Sequence, residues 1–159
     1  MSQDLIVMAS DILRIEEGYR EEVYYCSENY PTIGIGKKIG PKGAPLYNYT
    51  FKCSKDLAEF WLQEEIMDTL NEMTDSRVLA KALRECNTVQ QAVLISMCYQ
   101  MGVKGVLAFK RTLGYITDGD FIDASNEMLD STWAVQTRSR ALRHSAMMES
   151  GELDSYYGQ

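Results

Sequence analysis

Near the start of the sequence, three side chains have the types and spacing for proton-transfer chemistry. Glu17 offers a carboxyl, Cys26 a thiol nine residues on, and Thr32 a hydroxyl six residues after that. A carboxylic acid can deliver a proton near neutral pH when partial burial raises its pKa. A thiol ionises to a base or a nucleophile. A hydroxyl both accepts and donates a hydrogen bond, so it can place a water. Spacing alone leaves the bland readings open: a solvated glutamate beside a glycine, and a half-buried cysteine of a hairpin.

To bring the three together, the chain needs a helix end and a hairpin. Leu5, Met8, Ala9, Ile12 and Leu13 recur at helical spacing and Gly18 is a stop, so the first helix ends near Glu16 and Glu17. Val23, Tyr24 and Tyr25 favour strand, residues 27–31 carry turn residues, and Thr32-Ile33-Gly34-Ile35-Gly36 alternates with period two. Gly34 and Gly36 mark either a close approach by a ligand or backbone, or a twisted edge strand. Residues 37–45 read as loop and 46–51 as a third short strand.

The rest of the chain reads as helix. Ser54 is an N-cap, Asp56 sits in the first turn, and Leu57, Trp61, Ile66, Leu70 and Met73 trace the longest helix, about 55–74. A second runs through Val78, Leu79, Ala82 and Leu83. Thr88 and Gln91 match a capping box for a third, from Val89 to Met101 and closed by Gly102. Ala92, Val93, Leu94, Ile95 and Met97 make it apolar on most sides, so it is expected as the buried central helix. Further helices are expected near 106–116, 121–129 and 138–149, the last capped by Thr137 and stopped by Gly151. Met97, Met101, Met147 and Met148 are expected in or near the core, and His144 on the surface of the last helix. The plan is α+β in one domain, 1–159. A small antiparallel β-sheet lobe, about 14–54, is joined by the long helix to a mostly helical lobe, about 75–159 plus the N-terminal helix. A cleft between two such lobes is a natural ligand site.

Composition narrows the classes. The length of 159 residues and 45% hydrophobic content fit one globular domain and argue against disorder. The apolar runs are too short to span a bilayer, so no direct membrane insertion is expected. The N-terminus carries Asp4, Asp11, Glu16 and Glu17 where a secretory signal would be uncharged or basic, so a cytoplasmic protein is expected until it is released. Cys26, Cys53, Cys86 and Cys98 are then expected as free thiols. With no C-x-x-C pair and a single histidine, neither metal nor cofactor is expected. The net charge is −7, with eight acidic against four basic residues from Cys53 to Gly102, which speaks against nucleic acid as a partner.

The letters around the three candidates carry a resemblance. Leu13-Arg14-Ile15-Glu16-Glu17-Gly18, followed by Tyr30-Pro31-Thr32-Ile33-Gly34-Ile35-Gly36, closely resembles the catalytic segment of the T-even bacteriophage lysozymes, glycoside hydrolase family 24. The likeness continues through Ala92 to Gly102, ending Tyr99-Gln100-Met101-Gly102, and returns at Trp133, Gln136, Thr137, Arg140 and Ala141. The loop after Gly36 is shorter than the family's by about one small helix. The resemblance implies a lysozyme-like fold and a muramidase. Such an enzyme hydrolyses the β-1,4 bond between N-acetylmuramic acid and N-acetylglucosamine, acting as a monomer on peptidoglycan glycan strands for host-cell lysis. Glycosidic cleavage needs an acid for the leaving oxygen and a second group for the oxocarbenium-like centre or the water. The resemblance gives the acid to Glu17, the placing of water to Thr32, a position near the acid to Arg140, and cleft positions to Gln100, Tyr99 and Thr112.

There are three departures. Where the family has aspartate this chain has Cys26, which leaves base, nucleophile and bystander as its alternatives. The family's histidine after the second glycine is Lys37. Family members are basic and this chain is acidic, although Arg138, Arg140, Arg143, Lys37, Lys38 and Lys42 could still make the cleft locally positive. Cys26 and the charge favour a second reading, a lysozyme-fold wall-binding or partner-binding protein with weak or no catalysis. Glu17, Thr32, Gln100 and Arg140 favour the enzyme. A third reading, a transglycosylase, would require Thr32 to lose its water.

Overall fold

A computed structural model describes residues 2–158. Among them are eight α-helices and one three-stranded antiparallel sheet, an α+β arrangement of the lysozyme-like kind. The chain divides into two compact units, Leu13–Glu65 on one hand and Met1–Ile12 with Ile66–Gln159 on the other.

The smaller unit, Leu13–Glu65, starts with the end of α1 (Gln3–Glu17) and continues through β1 (Arg20–Tyr25), β2 (Pro31–Gly34) and β3 (Lys37–Lys38) to the start of α2 (Lys55–Asp75). The sheet order is β1-β2-β3, with Tyr24 opposite Thr32, Thr32 opposite Lys38, and a bulge between Arg20 and Tyr24. The β1–β2 turn closes because Cys26 and Tyr30 share a backbone hydrogen bond and Asn29 takes a left-handed φ of 65°, which asparagine tolerates. Two expectations fail here. The third strand is Lys37–Lys38, within the segment read as loop, and residues Leu46–Asn48 form a 3-10 turn instead of a strand. Pro45, Asn48 and Tyr49 override the β-propensity of Leu46 and Tyr47: the Asn48 amide bonds the Pro45 carbonyl and the Tyr49 amide that of Leu46. The unit's core is Leu13, Ile33, Ile35, Cys53, Ala58 and Leu62. The buried face of α2 therefore runs Ala58, Leu62, Ile66, Leu70, Met73: the last three are buried as the sequence spacing placed them, whereas Leu57 is exposed and Trp61 half-buried, each one position before the buried residue.

The helical unit is built around α4 (Thr88–Leu107), where Val89, Ala92, Val93, Leu94, Ile95, Met97 and Cys98 are all buried. Its capping box is Asn87 with Gln90, one residue earlier than expected: Asn87 Oδ1 accepts from the Gln90 amide and Gln90 Oε1 from the Asn87 amide, both at 3.0 Å. Asparagine is the stronger N-cap and leaves Thr88 inside the helix. Gly102, expected as the stop, is a kink with φ of 79°, and the helix resumes to Leu107. Next come α3 (Arg77–Glu85), earlier in the chain, then α5 (Lys110–Thr117), α6 (Phe121–Leu129), α7 (Thr132–Gln136) and α8 (Arg138–Ser150). The segment read as one helix over 106–116 is thus broken at Ala108 and Phe109. Gly151, with φ of 70°, ends α8 as expected, but Thr137 gives its hydroxyl to the Trp133 carbonyl instead of capping α8. All four cysteines are free thiols. Among the described residues no single helix is long and apolar enough to cross a membrane.

Candidate active site

Glu17 is the last residue of α1. The helix stops there because Gly18 adopts a left-handed φ of 66° and returns its amide to the Arg14 carbonyl at 3.1 Å. Arg14 fixes the last turn by a two-pronged ion pair to Glu59 on α2, with Nε–Oε1 at 2.5 Å and Nη2–Oε2 at 2.9 Å. The half-buried Glu17 side chain lies over Gly36. A Cβ at Gly36 would stand 2.8 Å from Glu17 Oε2 and 3.1 Å from its Cβ and Cδ. The second glycine of the Thr-Ile-Gly-Ile-Gly strand is therefore the floor on which the carboxyl rests, the close approach that an in-strand glycine can mark.

Cys26 follows β1, and Thr32 lies on β2 with only 1% of its surface exposed. Cys26 shares a strand face with Tyr24, two residues before it, and Tyr24 pairs with Thr32, so all three project from one side of the sheet. Burial raises the thiol pKa. Backbone hydrogen bonds from Tyr30 and Glu28, a hydrogen bond with the Thr32 side chain and the nearby Lys38 ammonium outweigh it, and the thiol falls below its ordinary value. The Thr32 hydroxyl also lies 2.8 Å from the Tyr30 carbonyl. It has one proton and two acceptors within reach, and an ionised sulfur is the stronger claimant.

Tyr24 was not singled out in the sequence, although alternation along β1 puts it on the same face as Cys26. It is half-buried, with the Arg20 guanidinium 4.5 Å above its ring. Burial raises its phenol pKa and the charges of Glu17 and Cys26 raise it further, while Arg20 opposes them. The phenol therefore senses both groups and stays protonated. The smaller unit thus brings Glu17, Cys26 and Thr32 to one locality, with Tyr24 among them.

The other candidates belong to the helical unit. Gln100 is half-buried and accepts from Trp133 Nε1 at 2.8 Å, and Tyr99 beside it is half-buried. Thr112 is buried and lines a cavity of about 340 Å³ with Phe109, Glu127 and Trp133. Arg140 is buried and its Nη2 donates to the Ser96 carbonyl at 3.1 Å and to Ser96 Oγ at 2.8 Å. His144 corrects the expectation of a surface residue: it is fully buried, its Nε2 2.7 Å from Ser96 Oγ and its Nδ1 3.4 Å from the Tyr157 hydroxyl. Burial, then the charges of Arg140 and Arg143, hold it well below the usual imidazole range, so it is neutral. It was misread because α8 is buried on more than one face; Arg140, Ala141, His144, Ser145, Met147 and Met148 are all inside. Among the described residues no group of three or more histidine, cysteine, aspartate or glutamate side chains is placed to hold a metal ion.

The chain that carries this arrangement, a carboxyl at a helix end with a thiol and a hydroxyl on the adjoining hairpin, is similar in sequence to known proteins. The phage lysozyme family model matches residues 14–145. Probable T4-type lysozyme 1 of Dictyostelium discoideum is 26% identical over 96% of this chain and 99% of its own length. Probable T4-type lysozyme 2 of the same organism is 26% identical over the same shares. The pre-baseplate central spike protein Gp5 of Enterobacteria phage T4 is 28% identical over 92% of this chain but only 28% of its own length. With a match that begins at Arg14, takes in Glu17, Cys26 and Thr32, and ends at Ser145, the chain belongs to the phage lysozyme family.

Proposed function

We propose that this lysozyme-like peptidoglycan hydrolase is a muramidase, cutting the β-1,4 bond from N-acetylmuramic acid to N-acetylglucosamine, with Glu17 as acid and Cys26 as base. Glu17 gives its proton to the glycosidic oxygen as the C1–O bond breaks, and the N-acetylglucosamine side leaves as an alcohol. A water hydrogen-bonded to the Thr32 hydroxyl attacks C1. Its proton passes to the Cys26 sulfur, and its oxygen becomes the new hydroxyl of muramic acid. Solvent then reprotonates Glu17 and takes the proton from Cys26. One observation carries this reading. The hairpin puts Cys26 on the same side as the buried Thr32 hydroxyl, opposite Tyr24, where its surroundings favour the charged form of the thiol, as a base requires.

Clearing of purified peptidoglycan by wild type and by Glu17→Gln tests the proposal. General acid catalysis is worth roughly two to four orders of magnitude, so the glutamine variant should lose at least about 100-fold. Wild-type-like clearing by that variant would refute the acid assignment. Mass spectrometry of the products separates hydrolysis, which leaves a reducing muramic acid end, from transglycosylation, which leaves an anhydro end. The net charge of −7 favours the second reading, a wall-binding or partner-binding protein. That reading requires wild type to sediment with the peptidoglycan without clearing it.

A further inference from the structure

The proposed mechanism gives no task to the charged side chains of the sheet, and one of them, Lys38, stands beside the reacting groups. Lys38 lies on β3 directly opposite Thr32, which in turn lies opposite Tyr24 on β1. Directly opposed residues of an antiparallel sheet project from the same side with Cβ atoms roughly 5 Å apart, so Lys38 belongs to the face that carries Tyr24, Thr32 and Cys26. Its ammonium is held twice. Nζ is 3.4 Å from Glu28 Oε2 and 4.5 Å from the centre of the Tyr30 ring. Glu28 and Tyr30 belong to the turn that Cys26 closes, its amide bonded to the Tyr30 carbonyl at 3.0 Å and its carbonyl to the Asn29 amide at 2.9 Å, and their backbone is among the groups that favour the charged form of the sulfur. One side chain therefore grips, by charge and by ring, the pair of residues that grip the sulfur by backbone.

We propose that Lys38 is a positioning residue for Cys26: it pins Glu28 and Tyr30 so that their backbone donors stay on the sulfur, and it adds its own charge to the same face. This rests on the reading of Cys26 as the working anion. The two held residues have different jobs. The Glu28 carboxylate fixes the ammonium but returns a negative charge to the neighbourhood, whereas the Tyr30 ring fixes it without that cost, through the negative face of its π-system. The groups around Cys26 are then Tyr24 from β1, which the charges of Glu17 and Arg20 also reach, Glu28 and Tyr30 from the turn, Thr32 from β2 and Lys38 from β3. Of the two cations, Arg20 sits over the Tyr24 ring and Lys38 is the one that acts on the sulfur. Its side chain is nearly half exposed, so solvent moderates its direct effect, and the larger part of its influence runs through the turn.

The test is the pH dependence of Cys26 alkylation by iodoacetamide in the folded protein, read by peptide mass spectrometry, for wild type and Lys38→Met, Lys38→Gln and Lys38→Arg. This readout needs no enzymatic activity, so it stands even if the muramidase reading fails. Removing the charge should raise the midpoint of thiol ionisation by about 0.5 to 1 pH unit. Arginine should restore it to within about 0.2 unit, because a guanidinium also stacks on a ring and pairs with a carboxylate. If clearing activity is present, its rise with pH should move by the same amount. An unchanged midpoint in both neutral variants, or an equal rise in the arginine variant, overturns the proposal. Two neutral replacements guard against one that fails to fold, and lysine at this exposed strand position is not part of the unit's core.

Discussion

Replacing Gly36 with alanine presses directly on the floor beneath Glu17. Its φ of +67° lies in the left-handed region, which costs a residue bearing a Cβ about 1–2 kcal/mol. The new methyl would also meet Glu17 Oε2 at 2.8 Å and Glu17 Cβ and Cδ at 3.1 Å. The oxygen alone could swing away, but the Cβ is tied to the helix, so the whole glutamate must shift or the strand must bend. Overpacking of that kind costs about 1–3 kcal/mol more. A domain of this size loses roughly 2–4 °C of Tm per kcal/mol, so Gly36→Ala should melt about 4–20 °C below wild type. Gly43→Ala is the matched control. Gly43 has a φ of +78° but nothing within 4 Å of its added Cβ, so only the backbone penalty applies and Tm should fall by about 2–8 °C. The two should part more sharply in rate. A displacement near 1 Å at a reacting group can cost about 100-fold, so clearing by Gly36→Ala should drop by one to two orders of magnitude, while Gly43→Ala should keep wild-type kcat. Differential scanning calorimetry and peptidoglycan clearing read the two effects separately. Equal rates and equal melting shifts in the two variants would show that Gly36 is not the seat of the carboxyl.

Two further outcomes follow from the shifted titrations. The wild-type rate should rise as Cys26 ionises, at a pH below the ordinary thiol range because the thiol is lowered; Cys26→Ser should lose that limb and at least about 100-fold in rate, and Cys26→Asp should stay active. Matching pH–rate profiles for wild type and Cys26→Ser would remove the thiolate from the mechanism. His144 is held neutral, so below the unfolded pKa of about 6.5 the unfolded chain binds a proton that the folded chain does not. Stability is then complete above that pH and should fall by about 1.4 kcal/mol per pH unit below it, until the depressed folded pKa is reached. Urea unfolding at pH 7, 6 and 5 should show this slope in wild type and lose it in His144→Gln; the same slope in both would place the titration elsewhere.

What could be read from the sequence was whatever a local pattern decides. The ends of α1 and α8 are visible as Gly18 and Gly151, and the burial of α4 shows in an apolar run that no single face can hold. The misreadings occur where tertiary context overrides local preference. Leu46 and Tyr47 favour strand, but the 3-10 turn bonds among residues 45–49 bend the chain there instead. Gly102 has the form of a helix stop, yet the chain recovers helical geometry to Leu107. His144 carries no local sign of burial, because its partners Ser96 and Tyr157 come from α4 and the C-terminal segment. Within the site, the glutamate, cysteine and threonine stand out by type. Tyr24 and Lys38 do not, since their relevance depends on a strand register that only the paired sheet defines.

That register also bears on how a thiol can stand where the family resemblance places a carboxylate. A carboxylate is ionised at neutral pH without assistance, whereas a thiol with a reference pKa of about 8.5 must be helped. The hairpin concentrates its help at one atom: two backbone donors from the turn, a hydroxyl from β2 and an ammonium from β3. The same economy answers the problem of net charge. Several cations of the smaller unit are already committed, Lys37 to Glu65, Lys38 to Glu28, Lys52 to Glu22 and Arg14 to Glu59, so they do not sum to a broad positive field. A chain of net charge −7 built this way gains little from long-range attraction to an acidic wall, which salt would screen in any case. Its hold on substrate must come from short-range contacts, and of the cations paired in this unit only Lys38 acts on the Cys26 thiol.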